Sequence, residues 1–218
     1  MPELTEYRLT FRSGLHLGTR GVNLEETAAH IPSDTLFAAI VDALARCGGA
    51  PDVFVRQFPR RDKDGAEQPG NPPFSLTSAF PFAGRVRFFP MPVGLQRWFS
   101  KSKLDERRKD VKRIRFVSQE LLLKILNGEA VDELLFPGDE KEEPTTGVAL
   151  QNGTIWLTAD ECEQLPEMMR KHPQTGCDIP LRALRRQSVF VTGQIPRVTV
   201  DRVSSASEIF HAGRATFA

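Results

Sequence analysis

Arginines crowd the late part of this 218-residue chain: Arg182, Arg185 and Arg186 lie close together, and Arg197 and Arg202 flank Asp201 in PRVTVDR. A guanidinium is planar and always charged, so such groups pair bidentately with phosphate or stack on a splayed base. The same Arg197–Asp201–Arg202 pattern also suits an ion-pair ladder on a strand surface, and the residues alone leave both uses open. Of the four histidines, at 16, 30, 172 and 211, His16 and His30 precede the first helix signal. Two imidazoles brought together can act as acid and base in metal-independent RNA cleavage, whereas a lone loop histidine hydrogen-bonds or contacts phosphate. G-x-S-x-G, H-E-x-x-H, P-loop and G-x-G-x-x-G patterns are all absent, which leaves little from which to build a catalytic centre. Cys162, His172 and Cys177 have no accompanying C-x-x-C pair, and three scattered cysteines fit reduced thiols better than disulfides. No metal and no cofactor are therefore expected.

The net charge is only +1, but it is unevenly spread. Residues 97–115 hold nine Lys/Arg against three acids, a local balance of +6. Residues 129–143 hold seven acids against Lys141, a balance of −6. The basic block is an electrostatic footprint for phosphates or for an acidic partner surface; it reads equally as a solvated loop. No apolar run approaches membrane-spanning length, and MPELTEYRLT has neither the basic start nor the apolar core of a signal peptide, so the default expectation is a cytoplasmic protein away from membranes.

These groups need a scaffold, and its clearest piece is HIPSDTLFAAIVDALARCGG, residues 30–49. Ser33 stands where an N-cap belongs and Asp34 lies in the first turn. Leu36, Phe37, Ile40, Val41 and Leu44 share one face, and Gly48–Gly49 stop the helix. That face predicts a covering sheet, with the rest of the molecule packed around it. The helix N-terminus at Ser33 also offers N–H groups to a phosphate.

Before it, Tyr7, Leu9 and Phe11 alternate with Arg8, Thr10 and Arg12, the period of a strand with one buried face. A glycine-punctuated loop carrying His16 and Arg20 follows. After it come an exposed insertion at 59–73 and a hairpin about Gly84, confined to an edge by Pro81, Pro90 and Pro92. IRFV at 114–117 reads as a strand. Ser118 caps a second helix with Leu121, Leu122, Ile125 and Leu126 on one face. Residues 129–146 read as a loop, and Asn152–Gly153 joins two short apolar runs as a hairpin. A short helix starting near Glu161, two β-branched runs at 189–192 and 198–200 separated by Gly193 and Pro196, and a last strand or hairpin in SEIFHAGRATF complete the reading.

Strands with two helices predict an α+β fold, an antiparallel sheet with helices on one face. A β-α-β-β-α-β ferredoxin-like (RRM-like) unit fits residues 1–135, with the basic block as an insertion; 147–218 form a partial second β-rich domain or a continuation of the first.

The blocks FRSGLHLGTRG, IPSDTLFAAIVDAL, SAFPF, FFPMP, KRIRFV and PRVTVDR, in this order, resemble the signature blocks of the family of fourth subunits of the type III-A CRISPR Csm effector complex. That family belongs to the RAMP superfamily of RRM-like guide-RNA-binding proteins. SDTLF and PRVTVDR are the most specific pieces; FPF and FPMP are weak alone. The resemblance implies a non-catalytic subunit that holds the crRNA 5′ handle, contacts the large polymerase-like subunit and a backbone RAMP subunit, and lies near target RNA in a particle serving antiviral defence. It places the PRVTVDR strand beside the guide RNA and Arg182, Arg185 and Arg186 in a finger-like loop. The RNA-binding candidates are then His16, Arg20, Ser33, Arg182, Arg185, Arg186, Arg197 and Arg202. The rival is a metal-independent endoribonuclease of the same superfamily that processes precursor crRNA; a protein-binding scaffold is a third reading. Three departures stand out. Family members continue well past the PRVTVDR strand into a second ferredoxin-like domain, Met91 stands where a lysine is usual, and the histidine usual before Ser-Asp is displaced to His30.

Overall fold

A computed structural model describes residues 4–18, 27–136, 143–200 and 207–217. Contacts divide the chain into two units, His30–Ala79 and, discontinuously, Met1–Ala29 with Phe80–Ala218. In the smaller unit the expected helix forms as α1, Ser33–Arg46, followed by α2, Pro51–Val55, and a short ribbon of β1, Arg60–Arg61, and β2, Glu67–Gln68. Its surroundings differ from expectation. Pro32 occupies the cap position and Ser33 is the first helical residue, its N–H donating to Ser78 Oγ at 3.1 Å, so Ser33 caps nothing with its side chain. No residue of α1 is buried, and no sheet covers it within this unit; Phe37 instead meets Phe54 and Phe58, which share Phe74 as a neighbour. Four aromatic rings thus do the work assigned to a sheet.

The larger unit is built on a five-stranded sheet of β3, Phe82–Ala83, β4, Val86–Pro90, β5, Phe116–Ser118, β6, Gly147–Leu150, and β7, Ile155–Thr158. The spatial order is β3-β4-β5-β7-β6. The sheet is mixed: β5 and β7 run parallel and the other pairs antiparallel, which corrects the all-antiparallel expectation. Gly84, at φ 60°, turns β3 into β4 at one edge, and a Cβ there would fall 2.3 Å from Gln164 O. The β6–β7 hairpin turns through Asn152 (φ 55°) and Gly153 (φ 85°), the left-handed pair that the Asn-Gly dipeptide announces.

Alternation along the strands divides the core between two faces. Phe88, Phe116, Val148, Leu150, Ile155 and Leu157 belong to one cluster, with Leu165, Met169, Leu184 and Phe190. Val117 and Trp156 belong to the other, with Phe99, Val111, Leu121, Ile125, Val131 and Leu135. Helices were expected on one face only. Here α5, Arg108–Arg113, α6, Gln119–Leu126, and α7, Val131–Leu135, supply the second cluster, while 3₁₀ turns at Asp160–Gln164 and Leu181–Arg186 and a short helix, Glu167–Arg170, supply the first. Complete burial of such side chains is worth about 1.5–3 kcal/mol each, so both clusters matter to stability.

Three further expectations change. Residues 4–12 form no strand; Tyr7 is 80% exposed, and pairing begins farther on, in bridges from Leu15 to Ala215 and from Gly18 to Thr27. The period-2 pattern is present, but among the described residues no neighbouring backbone completes its hydrogen bonds. The 129–146 segment is not all loop, because Val131 and Leu135 bury one face of α7. The runs at 189–192 and 198–200 join into one strand, β8, Phe190–Val200, paired along its whole length with β9, Ser207–Phe217; Gly193 and Pro196 interrupt neither. Among the described residues no helix is long and apolar enough to cross a membrane.

Candidate nucleic-acid interface

The basic block is folded, not loose. It forms the helix pair α4, Lys101–Glu106, and α5, with Ser100 Oγ accepting from Lys103 N at 3.2 Å and Val111 only 1% exposed. Part of the acidic segment lies against it: Asp132 accepts from Ser100 N, Phe136 packs on Phe99, and the Arg107 guanidinium lies over the Phe136 ring. The sequence dipole is therefore partly closed on itself. Within α5, Asp110 is shared by three guanidiniums, with Arg107 at 3.9 Å, Arg113 at 4.0 Å and Arg185 at 3.6 Å, and Arg107 also meets Glu106 at 3.6 Å. Arg113 also donates to Asn152 O at 3.3 Å, which ties the cluster to the β6–β7 turn. Two carboxylates, of Asp110 and Glu106, against three guanidiniums still leave a local positive excess, held in place by shared partners. Arg108, Lys109 and Lys112 are exposed beside it and make no ion pair among the described residues.

The predicted site residues scatter across this framework. Arg182, Arg185 and Arg186 lie on a 3₁₀ turn, Leu181–Arg186, pinned to the sheet by buried Leu184, rather than on a free finger-like loop. Their roles diverge. Arg182 is bound to Glu143 at 3.2 Å, Arg185 joins the Asp110 cluster, and Arg186 is exposed. Arg197 is exposed on β8 and paired with Phe210 across the ribbon. The ion-pair-ladder reading turns on Asp201, which lies outside the described residues. Ser33 belongs to the smaller unit, as does His30. Arg20, Asp201 and Arg202 lie outside the described residues.

His16 is held at the strand register. Leu15 exchanges both backbone hydrogen bonds with Ala215 at 2.8 Å, and His16 Nδ1 lies 2.6 Å from Gly213 O. A carbonyl only accepts, so Nδ1 carries the hydrogen and Nε2 is the ring's remaining polar atom. Sequence reasoning missed Arg214. It sits in the alternating run HAGRATF, and its only advance signal was one charge in an otherwise small and apolar strand. Its Nε is buried without a hydrogen-bond partner.

The thiols behave as scattered cysteines should. All three are free, Cys47 and Cys177 exposed and Cys162 buried. Burial first, then the neighbouring Glu161 and Asp160 charges, pushes the Cys162 thiol up to about 12. Among the described residues no group of three or more His, Cys, Asp or Glu is arranged to hold a metal ion. A scan against protein-family models finds no match to this chain, and a search of curated proteins finds none either.

Proposed function

We propose that this chain is a non-catalytic RNA-binding subunit of a type III CRISPR ribonucleoprotein, an RRM-like RAMP protein that holds the 5′ handle of the crRNA. In that role it contacts the large polymerase-like subunit and a backbone subunit and serves defence against foreign nucleic acid in the cytoplasm. The ordered sequence blocks motivate the reading. The observation that carries it is Arg197: the PRVTV run forms one side of a two-stranded arm, and its arginine is exposed on it. A guanidinium in that state is available to a phosphate or a base plane. The Asp110 cluster adds a second concentration of positive charge, and a chain with net charge near zero gains nucleic-acid affinity only through such local excess.

Replacing Arg197 and Arg202 by Ala tests the assignment in the assembled complex. The expected result is less crRNA retained through purification and a shallower dependence of retention on salt, since each lost phosphate contact removes counterion release. Unchanged retention with unchanged salt sensitivity overturns it.

A further inference from the structure

We infer that Arg214 and His16 form a seat for a phosphodiester group of bound RNA. This rests on the RNA-binding reading and extends it to a residue that the sequence did not single out.

The register places them together. The Leu15–Ala215 bridge is antiparallel, so His16 stands directly opposite Arg214, and opposed residues of an antiparallel pair project to the same face. On its other side Arg214 pairs with Gly193 of β8, which contributes no side chain, and a Cβ built there would meet nothing within 4 Å. Diagonally, Gly14 makes room for the arginine: a Cβ on Gly14 would fall 1.9 Å from Arg214 Nε and 2.4 Å from its Cγ. A glycine hollow therefore accommodates the Arg214 side chain, with an imidazole on the neighbouring strand and open space beyond.

The chemistry is left unfinished by the protein itself. Arg214 has no ion pair among the described residues, and its Nε is buried without an acceptor. Burying part of a charged group without a partner is costly, and natural structures keep such groups where a ligand supplies the missing acceptors. A phosphate matches a guanidinium fork through two parallel N–H···O bonds. His16 adds a further polar atom at the same face, its orientation set by the Gly213 carbonyl. RNA phosphodiester and small phosphate share this chemistry; the position of the pair at the root of the arm that carries Arg197 favours a strand of RNA running along β8 and β9.

The test uses the purified full chain, a fluorescent single-stranded U20 RNA and, in a second arm, inorganic phosphate as competitor against sodium chloride of equal ionic strength. Arg214→Gln keeps most of the side-chain volume and removes the charge. Gly14→Ala keeps the net charge and displaces the guanidinium. Both variants are expected to weaken RNA binding about tenfold, as loss of a charge-assisted pair does. Arg214→Gln should also lower the salt slope by about 0.7, the single-strand value per phosphate contact. Its Tm should be unchanged or higher, because an unpaired buried charge is lost; a merely structural arginine would lower it. Wild-type RNA binding that both variants retain in full overturns the seat while leaving the RNA-binding reading intact. No RNA binding by the wild-type chain instead overturns the reading on which the seat rests. Displacement of RNA by phosphate beyond the chloride control, abolished in Arg214→Gln, is the expected result for a phosphodiester in the seat; displacement undiminished in Arg214→Gln overturns the seat.

Discussion

Glu161 is a carboxylate taken out of water, 5% exposed, yet fully engaged. It accepts from the Ser118 hydroxyl, from Thr158 N at 3.0 Å and Oγ1 at 3.1 Å, and from Glu120 N at 3.3 Å. Ser118 Oγ in turn accepts from Leu121 N at 3.2 Å, so one hydroxyl caps α6 and satisfies a buried anion. Ser118→Ala removes both functions, and a loss of about 2–3 kcal/mol in urea denaturation is expected, a cap contributing about 1 and a stranded buried acceptor the rest. The cap was legible because its partner is three residues away. Glu161 was not, because two of the residues that hold it, Ser118 and Glu120, come from sequence about forty residues earlier. Cys162 beside it gives a second expectation. Native protein should show two thiols fast to an aromatic disulfide reagent at pH 8, Cys47 and Cys177, with Cys162 reacting only on unfolding. The raised thiol also sets a sign. Above the ordinary thiol range the unfolded chain loses a proton that the native chain keeps, so stability present at neutral pH declines as pH rises toward about 12. A pH series of denaturation midpoints for wild type and Cys162→Ala checks this, the variant lacking that part of the alkaline decline.

At the scale of elements, helices announced themselves by period but not by company. The apolar stripe of α1 marked a helix correctly; nothing local distinguished a sheet from the ring cluster of Phe37, Phe54, Phe58 and Phe74 as its partner. Phe58 touches all three of the others, and Phe58→Ala should collapse hydrogen-exchange protection across α1 while amides of β5 and β7 keep theirs, as expected of two separate units. The helices of the basic block were hidden by their own charge, since only Leu104, Val111 and Ile114 mark the inward side. Arg108, Lys109 and Lys112 lie on that block without ion pairs among the described residues. Their combined replacement by Ala should leave Tm within about 0.5 kcal/mol equivalent of wild type, as surface changes do, and reduce the salt slope of RNA binding. The hairpins about Gly84 and Asn152–Gly153 were readable because a turn is decided by its own residues. The segment carrying Tyr7, Leu9 and Phe11 was misread because strand formation is decided by a backbone partner; it meets Arg87, Phe82 and Phe217 through side chains, and among the described residues no ladder pairs it.

For the molecule as a whole, α+β architecture followed from the mixture of periods, whereas the mixed sheet did not. The parallel contact of Phe116 with Ile155 and of Val117 with Trp156 requires the chain to travel from Ser118 through α6, α7 and β6 before β7 can dock between β5 and β6. Nothing in a short apolar run encodes that path. It has a consequence for how the protein is made. While the ribosome is still adding residues before Thr158, β5 lacks its partner on one edge, and the face of β4 and β5 that carries Phe88 and Phe116 lacks Ile155, Leu157 and the later residues that cover it. Closure of so long a loop is slow compared with local turns, and uncovered strands invite wrong pairings in the interval. Slower synthesis between Ser118 and Ile155 is therefore expected to lower the yield of native chain, which comparing the soluble fraction made from slow-codon and fast-codon messages for that stretch would check.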